Sequence, residues 1–325
     1  MSGTKIKKFL LNHILECFVL VLWVFATFMS DSFLTSANLL NILKNASMKG
    51  VLAVGMTIAI ISGFMDLSIS STVATTGIVI GLLFGAMPNS EPLALVLGIL
   101  IMIVVCAIMA SIHAFFVIKY NMPAMIVTMA TMKILYCVAG LLCNGYPITS
   151  FPKWYGNLGG AKIFGFFPAA GIWFIIAVVI FSFLLKKTKL GRNIYATGGN
   201  LEASHLSGIN TTKTRWLAMF FVQLTALCSG IILSSQLRAG NHTYAQDWGL
   251  DMISSVIIGG ASFSGGVGKV FGTVVGMILV STINNVLTIL DVSTFYQYFA
   301  QGALILLAVV INTLRDQQLG KMKKD

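Results

Sequence analysis

The sequence predicts an all-α polytopic membrane protein with about ten transmembrane helices in a single domain, residues 1–325. Three observations predict this fold class. The chain is 57% apolar and only 10% charged, and its mean hydropathy is +0.90, values that soluble globular domains of this length do not show. The apolar residues form about ten stretches, most of them near the roughly 20 residues that a helix needs to cross a bilayer. Ten crossings take roughly 200 residues and leave too few for a separate soluble domain.

The predicted spans follow one another with short polar connections. They are residues 14–30, 50–63, 70–87, 93–118, 124–143, 167–185, 215–237, 251–262, 270–289 and 295–312. The five cysteines lie in or at the ends of these stretches and form no Cys-x-x-Cys pair, so neither a disulfide framework nor a zinc site is indicated. The lysines before the first stretch imitate a signal peptide, but no small-residue cleavage site follows, so we expect a retained first spanning helix.

Lys and Arg number 21, give a net charge of +11, and gather in loops beside the spans. If the N- and C-termini are cytoplasmic, most of these residues lie on the cytoplasmic side, as the positive-inside rule requires. The smaller outside group contains Lys44, Lys49, Lys153, Lys162 and Arg238. The basic charge is therefore interpreted as an orientation signal and not as a nucleic-acid surface.

Irregular sequence rich in glycine and serine breaks two of the predicted spans. The first break is residues 62–68 (SGFMDLS), and the second break is residues 259–269 (GGASFSGGVGK). Interrupted helices at corresponding places in two halves are typical of a transport pathway, because unwound backbone is tolerated at depth only where it is buried or lines a cavity. Each break follows a similar apolar run and six crossings separate them, so the pattern predicts a parallel internal repeat. Shared membrane composition is the alternative explanation.

A polar and basic segment, residues 186–215, separates two long apolar stretches and is expected in the cytoplasm. We expect a helix of about two turns here, opened by Gly198 and Gly199, capped by Asn200 and ended by Gly208. Because so short a helix is marginal alone in water, it needs something to pack on. It is either a docking helix for another protein or an ordinary loop helix on the membrane surface, and these residues alone favour the loop helix.

Catalytic and nucleotide-binding motifs are missing from the sequence. The nearest approach to a phosphate-binding loop, residues 265–270, lacks the first glycine and the Ser or Thr after the lysine, so magnesium would have no hydroxyl ligand. Any ATP would therefore be used by another subunit. The four histidines have no metal-ligand spacing, and no Gly-x-Ser-x-Gly elbow exists. We expect neither an enzyme nor a bound metal or cofactor.

Polar side chains within the predicted spans are candidates for a passage. Asp66, in the first break, either caps the helix that begins near Leu67 at the cytoplasmic rim or contacts a substrate, and the sequence favours the cap. Lys133 also lies near the membrane interior, where a charge costs roughly 2.5 to 3.5 kcal/mol. Six further residues could bond either a solute or neighbouring helices: Thr128, Thr131, Gln223, Asn284, Asn285 and Gln297.

An ordered series of segments resembles one known family. The segments are residues 61–68, 191–200, 202–209, 259–273, 284–285 and 292–297. Together they are similar to the ribose-type sugar permeases of ABC importers, and the resemblance extends over about residues 36–315. In that family the Glu-Ala-Ala-x-x-x-Gly loop is the coupling helix that enters a groove on the ATPase subunit. This role carries over to four residues: Glu202, Ala203, Ser204 and Gly208.

The resemblance raises the docking-helix interpretation above the loop helix and implies a bacterial inner-membrane permease that works as a pair, homo- or heterodimeric. It also implies two ATPase subunits, an extracytoplasmic substrate-binding protein, and a monosaccharide or related small polyol or furanosyl substrate. The candidate passage residues are Asp66, Ser68, Asn284, Asn285 and Gln297. Phe64, Met65 and residues 111–115 depart from the family pattern, so substrate identity does not carry over. The alternatives are a branched-chain amino acid or nucleoside permease and an ion-coupled carrier.

Overall fold

Residues 14–322 are described by the computed structural model, and they are mainly helical. The helices are α1 (Ile14–Met29), α2 (Ser36–Ile61), α3 (Ile69–Ala86), α4 (Glu91–Ala114), α5 (Ala124–Leu142), α6 (Asn157–Gly160), α7 (Ala169–Lys187), α8 (Lys189–Gly199), α9 (Leu201–Leu206), α10 (Thr211–Leu237), α11 (Trp248–Ile258), α12 (Val270–Ile289) and α13 (Thr294–Met322). A π-helical turn, Phe115–Lys119, continues α4, and a 3-10 turn, Lys153–Gly156, precedes α6. Two short antiparallel strands, β1 (Lys162–Ile163) and β2 (Phe167–Pro168), complete the fold. The prediction of a helical protein is confirmed.

Six helices in the described range are long and apolar enough to cross a membrane: α3, α4 with its π-helical turn, α5, α7, α10 and α12. The prediction of a polytopic membrane protein is therefore confirmed. The number of helices that qualify by length and composition is six, so the ten crossings stay a prediction. The apolar helices α1 and α11 have only 16 and 11 residues. The lysines at positions 5, 7, 8, 323 and 324, on which the orientation partly depends, lie outside the described residues.

The helix that contains most of the second predicted span, residues 50–63, is longer than that span. α2 begins at Ser36, where the Thr35 hydroxyl accepts a hydrogen bond from the Asn38 N–H, and it runs for 26 residues. Lys49, assigned to an outside loop by the sequence, therefore lies within this helix. Its ammonium group pairs with the Asp251 carboxylate on α11 at 2.8 Å, and the Asp251 side chain is only 6% exposed. The partner is 202 positions away along the chain, so local sequence could not reveal it.

α10 is the central helix of the bundle and packs against α2, α3 and α4. Small residues allow these helices to approach closely. A Cβ at Gly230 would lie 2.8 Å from the Val73 carbonyl oxygen, and one at Gly55 on α2 would overlap the Thr225 hydroxyl. Helices in lipid associate largely through such tight packing, because lipid is as apolar as the helix surfaces.

The two breaks have the same geometry where they begin. Gly63 after α2 and Gly260 after α11 have φ values of +85° and +90°. Each closes its helix with a Schellman-type pair of hydrogen bonds. The breaks also touch, since the Gly266 N–H donates to the Ile61 carbonyl at 2.8 Å. Because such helix ends are common, the internal repeat stays a prediction.

Candidate functional site

Asp66 lies in the first break and is fully buried. Its Oδ1 accepts hydrogen bonds from the Ser68 N–H at 2.9 Å and from the Ser68 hydroxyl at 2.6 Å. These bonds close an Asx turn immediately before α3, and the same side chain holds Ser68. The N-cap residue of α3 is Ser68, whose side chain makes no cap hydrogen bond, so the Asp66 cap stays a prediction.

Gln223 on α10 connects Asp66 to the centre of the bundle. Its side-chain NH2 donates to Asp66 Oδ2 and to the Ser68 hydroxyl, each at 2.7 Å, and its carbonyl oxygen accepts from the Thr72 hydroxyl at 2.6 Å. Gln223 lies near the midpoint of the 27-residue α10. A helix rises about 1.5 Å per residue, so Asp66 is about 18 Å along α10 from its start. The predicted position at the cytoplasmic rim stays a prediction.

His113 on α4 completes the polar cluster from the other side. Its Nδ1 is 3.5 Å from Asp66 Oδ2, and its Nε2 is 2.9 Å from the Thr131 hydroxyl on α5. The Thr131 hydroxyl is also 3.1 Å from the Thr128 carbonyl oxygen. We call these residues (Asp66, Ser68, Thr72, His113, Thr131 and Gln223) the buried polar cluster. Thr131 and Gln223 thus bond neighbouring helices, one of the two alternatives that the sequence left open.

The remaining candidate passage residues lie elsewhere. Asn285 on α12 exchanges two side-chain hydrogen bonds with Asn38 on α2, at 2.8 and 3.0 Å. The neighbouring Asn284 has a buried Oδ1 without a hydrogen-bond partner among the described residues. Gln297, in the first turn of α13, donates to the Val292 carbonyl at 3.1 Å. Among the hydrogen bonds described for residues 14–322, none joins these three residues to the buried polar cluster.

The short helix of the polar segment is α9. The Asn200 side chain accepts from the Ala203 N–H at 2.9 Å, as predicted for a cap, and Gly208 follows the helix with a φ of +79°. Ser204 is buried against the rest of the chain, whereas Glu202 and Ala203 are exposed. The helix therefore rests on one face and offers the other to solvent.

α8 was not predicted. Gly198 and Gly199, which are predicted to open a loop helix, are instead the last residues of α8. The Thr188 hydroxyl oxygen caps this helix by accepting a hydrogen bond from the Gly191 N–H at 3.0 Å. The threonine at position 188 was an available sequence signal for the start of this helix, since Thr often caps helices. The adjacent glycine pair at 198 and 199 more often marks a turn.

The end of α8 contacts both breaks, and we call this contact the glycine junction: Gly63, Gly198, Gly199, Gly265 and Gly266. A Cβ at Gly198 would overlap the Ile61 carbonyl oxygen, and a Cβ at Gly265 would lie 2.6 Å from the Gly198 carbonyl oxygen. At Gly198, Gly265 and Gly266, only glycine allows the backbones to lie so close together.

Tyr195 adds a side-chain contact beside the glycine junction. Its hydroxyl donates to the Gly268 carbonyl at 2.8 Å, and burial raises the pKa of this hydroxyl above its ordinary value. α9 is thus connected through α8 to both interrupted helices.

Within residues 14–322, no group of three or more His, Cys, Asp or Glu side chains is placed to hold a metal ion. The site consists of hydrogen-bonding groups and closely packed backbone.

Comparison with known proteins identifies the family. The family described as "Branched-chain amino acid transport system / permease component" matches residues 38–309. The chain belongs to this permease family. The match includes both breaks, the buried polar cluster and the helices α8 and α9.

Individual relatives of this permease match along most of their length. The chain is 34% identical to the ribose import permease protein of Bacillus subtilis over 303 residues, covering 93% of this chain and 92% of the relative. It is 32% identical to the ribose import permease protein of Escherichia coli K12, with 90% and 91% covered. It is also 32% identical to the L-arabinose transport system permease protein of that strain, with 91% and 89% covered. No solved structure matched the permease.

Proposed function

We propose that this permease is the membrane-spanning subunit of an ATP-driven importer for a monosaccharide or a related small polyol or furanosyl compound. The observation that carries the proposal is the match, over about nine-tenths of the chain, to permeases named for ribose and L-arabinose import. The sugar class comes from those relatives, and the identity of the sugar is left to experiment.

ATP hydrolysis is assigned to a partner subunit, and α9 is proposed as the helix that docks on it. Two features support this assignment. The sequence has no nucleotide-binding loop. α9 exposes Glu202, Ala203 and Leu206, the last of these 81% exposed, while Ser204 holds the helix to the permease. An exposed Leu beside a carboxylate is suited to a protein groove with an apolar floor and a basic rim.

The glycine junction would transmit movement of α9 to the passage. ATP binding draws the docked α9 helices of a permease pair together, and α8 moves with α9 because only Asn200 separates them. Since Gly198 touches both breaks, such a movement displaces the end of α2 and the second break together. The two states of the transporter would differ in this packing.

The architecture proposed for the whole chain has ten crossings with cytoplasmic termini. α1, α2 and α13 would each cross, and α11 would cross together with the second break, because its 11 residues span only about 16 Å as a helix. The shared geometry of the two breaks supports a parallel repeat. In a bacterial inner membrane, a second permease subunit and an extracytoplasmic binding protein complete the importer.

The five candidate residues remain proposed for the passage, in two groups. Asp66 and Ser68 are fully buried, so they would shape the passage at the first break until the helices separate. Asn284, Asn285 and Gln297 form the second group. The unpartnered Oδ1 of Asn284 makes this residue the best placed of the three to bond a sugar hydroxyl.

The docking assignment is tested by affinity purification from the native membrane in mild detergent, with each accompanying subunit identified by mass. The wild-type chain is expected to bring an ATPase subunit in stoichiometric amount. Glu202→Lys should remain in the membrane but lose the ATPase and its stimulation. Lys187→Glu, a charge reversal at an exposed residue outside α9, is the matched control. Unchanged ATPase recovery with Glu202→Lys would remove α9 as the docking helix.

A branched-chain amino acid or nucleoside permease is the second candidate, because the family description itself names branched-chain amino acids. Competition of unlabelled sugars, amino acids and nucleosides against uptake separates these substrates. An ion-coupled carrier is separated by ATP depletion with the ion gradient maintained, since a carrier would continue to transport without a partner ATPase.

A further inference from the structure

We propose that Lys49, Asp251 and Trp248 form a binding site for a neutral polyhydroxylated solute, at the inner end of a polar track along α2. The track consists of Asn41, Asn45 and Lys49, and we call it the polar stripe. The inference rests on the proposed function for the class of solute. It goes beyond that function by locating the outer half of the passage and by naming side chains that contact the sugar outside the five candidate passage residues.

The polar stripe lies on one face of α2. Its three residues are spaced by four positions, so their side chains follow one another along the helix surface. Asn41 and Asn45 are exposed, and the Lys49 side chain keeps 19% of its surface exposed. Residues 46–48 and 50–61 are buried. The exposed face of α2 therefore ends at Lys49, and the inner half of the helix is covered by the bundle.

The polar stripe reaches the depth of the hydrocarbon core. α2 packs against α10 and α12, which are both long and apolar enough to cross a membrane. At a rise of about 1.5 Å per residue, Lys49 is about 18 Å and Asn45 about 24 Å from the end of α2 at Ile61. The hydrocarbon core is roughly 30 Å thick. Because amide and ammonium groups are costly to expose to lipid, this face of α2 is assigned to a water-filled passage.

At the inner end of the stripe, α11 brings two further groups to Lys49. The Lys49 Nζ is 2.8 Å from Asp251 Oδ2, and the Asp251 side chain is only 6% exposed. Trp248 lies about one turn before Asp251 on α11, and its ring centroid is 5.4 Å from the same Nζ. An ammonium group, a carboxylate and an aromatic face thus meet where the exposed face of α2 ends.

These three groups suit a solute rich in hydroxyl groups. The Lys49 ammonium has three N–H donors and the pairing with Asp251 occupies one, so the others can donate to solute hydroxyls. A hydroxyl both donates and accepts, so neighbouring hydroxyls can bond to the ammonium and the carboxylate without separating them. The indole face of Trp248 can cover the apolar C–H side of a sugar ring. An amino acid zwitterion, in contrast, would have to separate the ion pair to reach both charges.

Asn284 on α12 lies at the same level as Trp248. The antiparallel contact between α11 and α12 is made by two pairs of residues: Gly259 with Gly272, and Ser255 with Gly276. When this register is followed along both helices, Asn284 is level with the first turn of α11. Its Oδ1 is buried without a hydrogen-bond partner among the described residues. A candidate passage residue with an unused acceptor thus lies at the depth of the proposed site.

The passage is tested by the reactivity of an introduced cysteine, which does not depend on transport. Right-side-out vesicles that contain the complete importer are treated with a charged, membrane-impermeant thiosulfonate. Asn45→Cys is compared with Val104→Cys, the matched control, because Val104 is 58% exposed near the middle of the apolar helix α4. The reactive thiolate forms in water and not in lipid, so Asn45→Cys should be labelled about tenfold faster or more, above the background of the native cysteines.

Equal labelling of the two variants would overturn the passage. This outcome includes the case in which a second permease subunit covers the polar stripe directly.

The solute-binding role is tested with a variant that combines Lys49→Met and Asp251→Asn. The combination leaves no uncompensated charge, so the variant is expected to fold, as thermal unfolding in detergent checks. ATP-dependent uptake of labelled monosaccharides, with ribose and L-arabinose as probes, should still fall about tenfold or more per folded molecule, because hydrogen bonds from charged groups to the solute are lost. A purely structural ion pair predicts that uptake returns with stability. Wild-type uptake by the folded double variant would overturn the proposal.

Trp248 provides a second test should the double variant fail to fold. Trp248→Phe keeps an aromatic face beside Lys49, whereas Trp248→Leu removes it. Uptake per folded molecule should be about fivefold lower for Trp248→Leu than for Trp248→Phe, because only the phenylalanine ring can cover the sugar. Equal uptake by the two variants would overturn the site.

The measurements separate the possible failures. Fast labelling of Asn45→Cys in an importer that takes up no monosaccharide would contradict the proposed function, and with it the class of solute. Normal monosaccharide uptake with equal labelling of Asn45→Cys and Val104→Cys would contradict the passage along α2 alone.

Discussion

The glycine junction gives the most specific mechanical prediction. In Gly265→Ala, the new methyl group would lie 2.6 Å from the Gly198 carbonyl oxygen and 3.0 Å from the Gly63 Cα, and the residue has a φ of +81°. The opposing atoms belong to backbone and cannot rotate away. Gly145→Ala is the matched control, since Gly145 has a φ of +76° and a Cβ there meets nothing within 4 Å among the described residues.

The magnitude follows from two terms. A left-handed conformation costs an alanine about 1–2 kcal/mol, and both variants share this term. Gly265→Ala must also open the contact by about 0.8 Å to reach ordinary van der Waals separation, and overpacking of this kind costs about 1–3 kcal/mol more. We therefore expect a loss of about 2–5 kcal/mol in folding free energy for Gly265→Ala and about 1–2 kcal/mol for Gly145→Ala.

Both variants are assayed by thermal unfolding in detergent and by ATP-dependent uptake. If α8 transmits movement to the breaks through this contact, Gly265→Ala lowers uptake per folded molecule at least about tenfold, the equivalent of 1.4 kcal/mol, while Gly145→Ala leaves it near the wild-type value. Equal uptake by the two variants would refute the role of the glycine junction, even if Gly265→Ala were the less stable protein.

Two further predictions concern contacts between distant segments. Lys49→Met leaves the buried Asp251 without its partner and should destabilise the protein by about 3 kcal/mol, and adding Asp251→Asn should restore most of this loss, both measured by thermal unfolding. If adding Asp251→Asn restored none of this loss, the result would contradict a buried ion pair. Tyr195→Phe removes the bond to the Gly268 carbonyl and should cost about 1 kcal/mol. Burial raises the pKa of Tyr195, so the folded chain keeps its proton when the unfolded chain has lost it. The advantage of the wild type over Tyr195→Phe should be constant below about pH 10 and shrink above it, and a decline that begins near neutrality would contradict this.

The helical fold and the two breaks could be predicted because both are local properties of the sequence. Apolar stretches and glycine-rich interruptions are visible without any tertiary contact. The hydrogen bond between the Ser68 N–H and Asp66 is local as well, since the two residues are only two positions apart. Span edges were less accurate: α2 begins 14 positions before the predicted span, because Lys44 and Lys49 suggested a loop.

What the sequence could not show depends on pairs of residues that are distant along the chain. Asp66 and Gln223 are separated by 157 positions, and Asn38 and Asn285 by 247. No periodicity indicates such pairs. The same limitation explains why α8 was missed. Considered alone, Gly198 suggests a turn. In the folded chain its backbone lies against the Ile61 carbonyl oxygen, and this contact leaves no room for a side chain.

The most direct test of the proposed function is uptake of labelled monosaccharides, with ribose and L-arabinose as probes, by native cells with and without this chain, before and after ATP depletion. We expect at least one monosaccharide to lose its ATP-dependent uptake when the chain is absent. The wild-type chain should restore this uptake, whereas Glu202→Lys should not. Full monosaccharide uptake in cells without the chain, together with lost uptake of a branched-chain amino acid or nucleoside, would contradict the account.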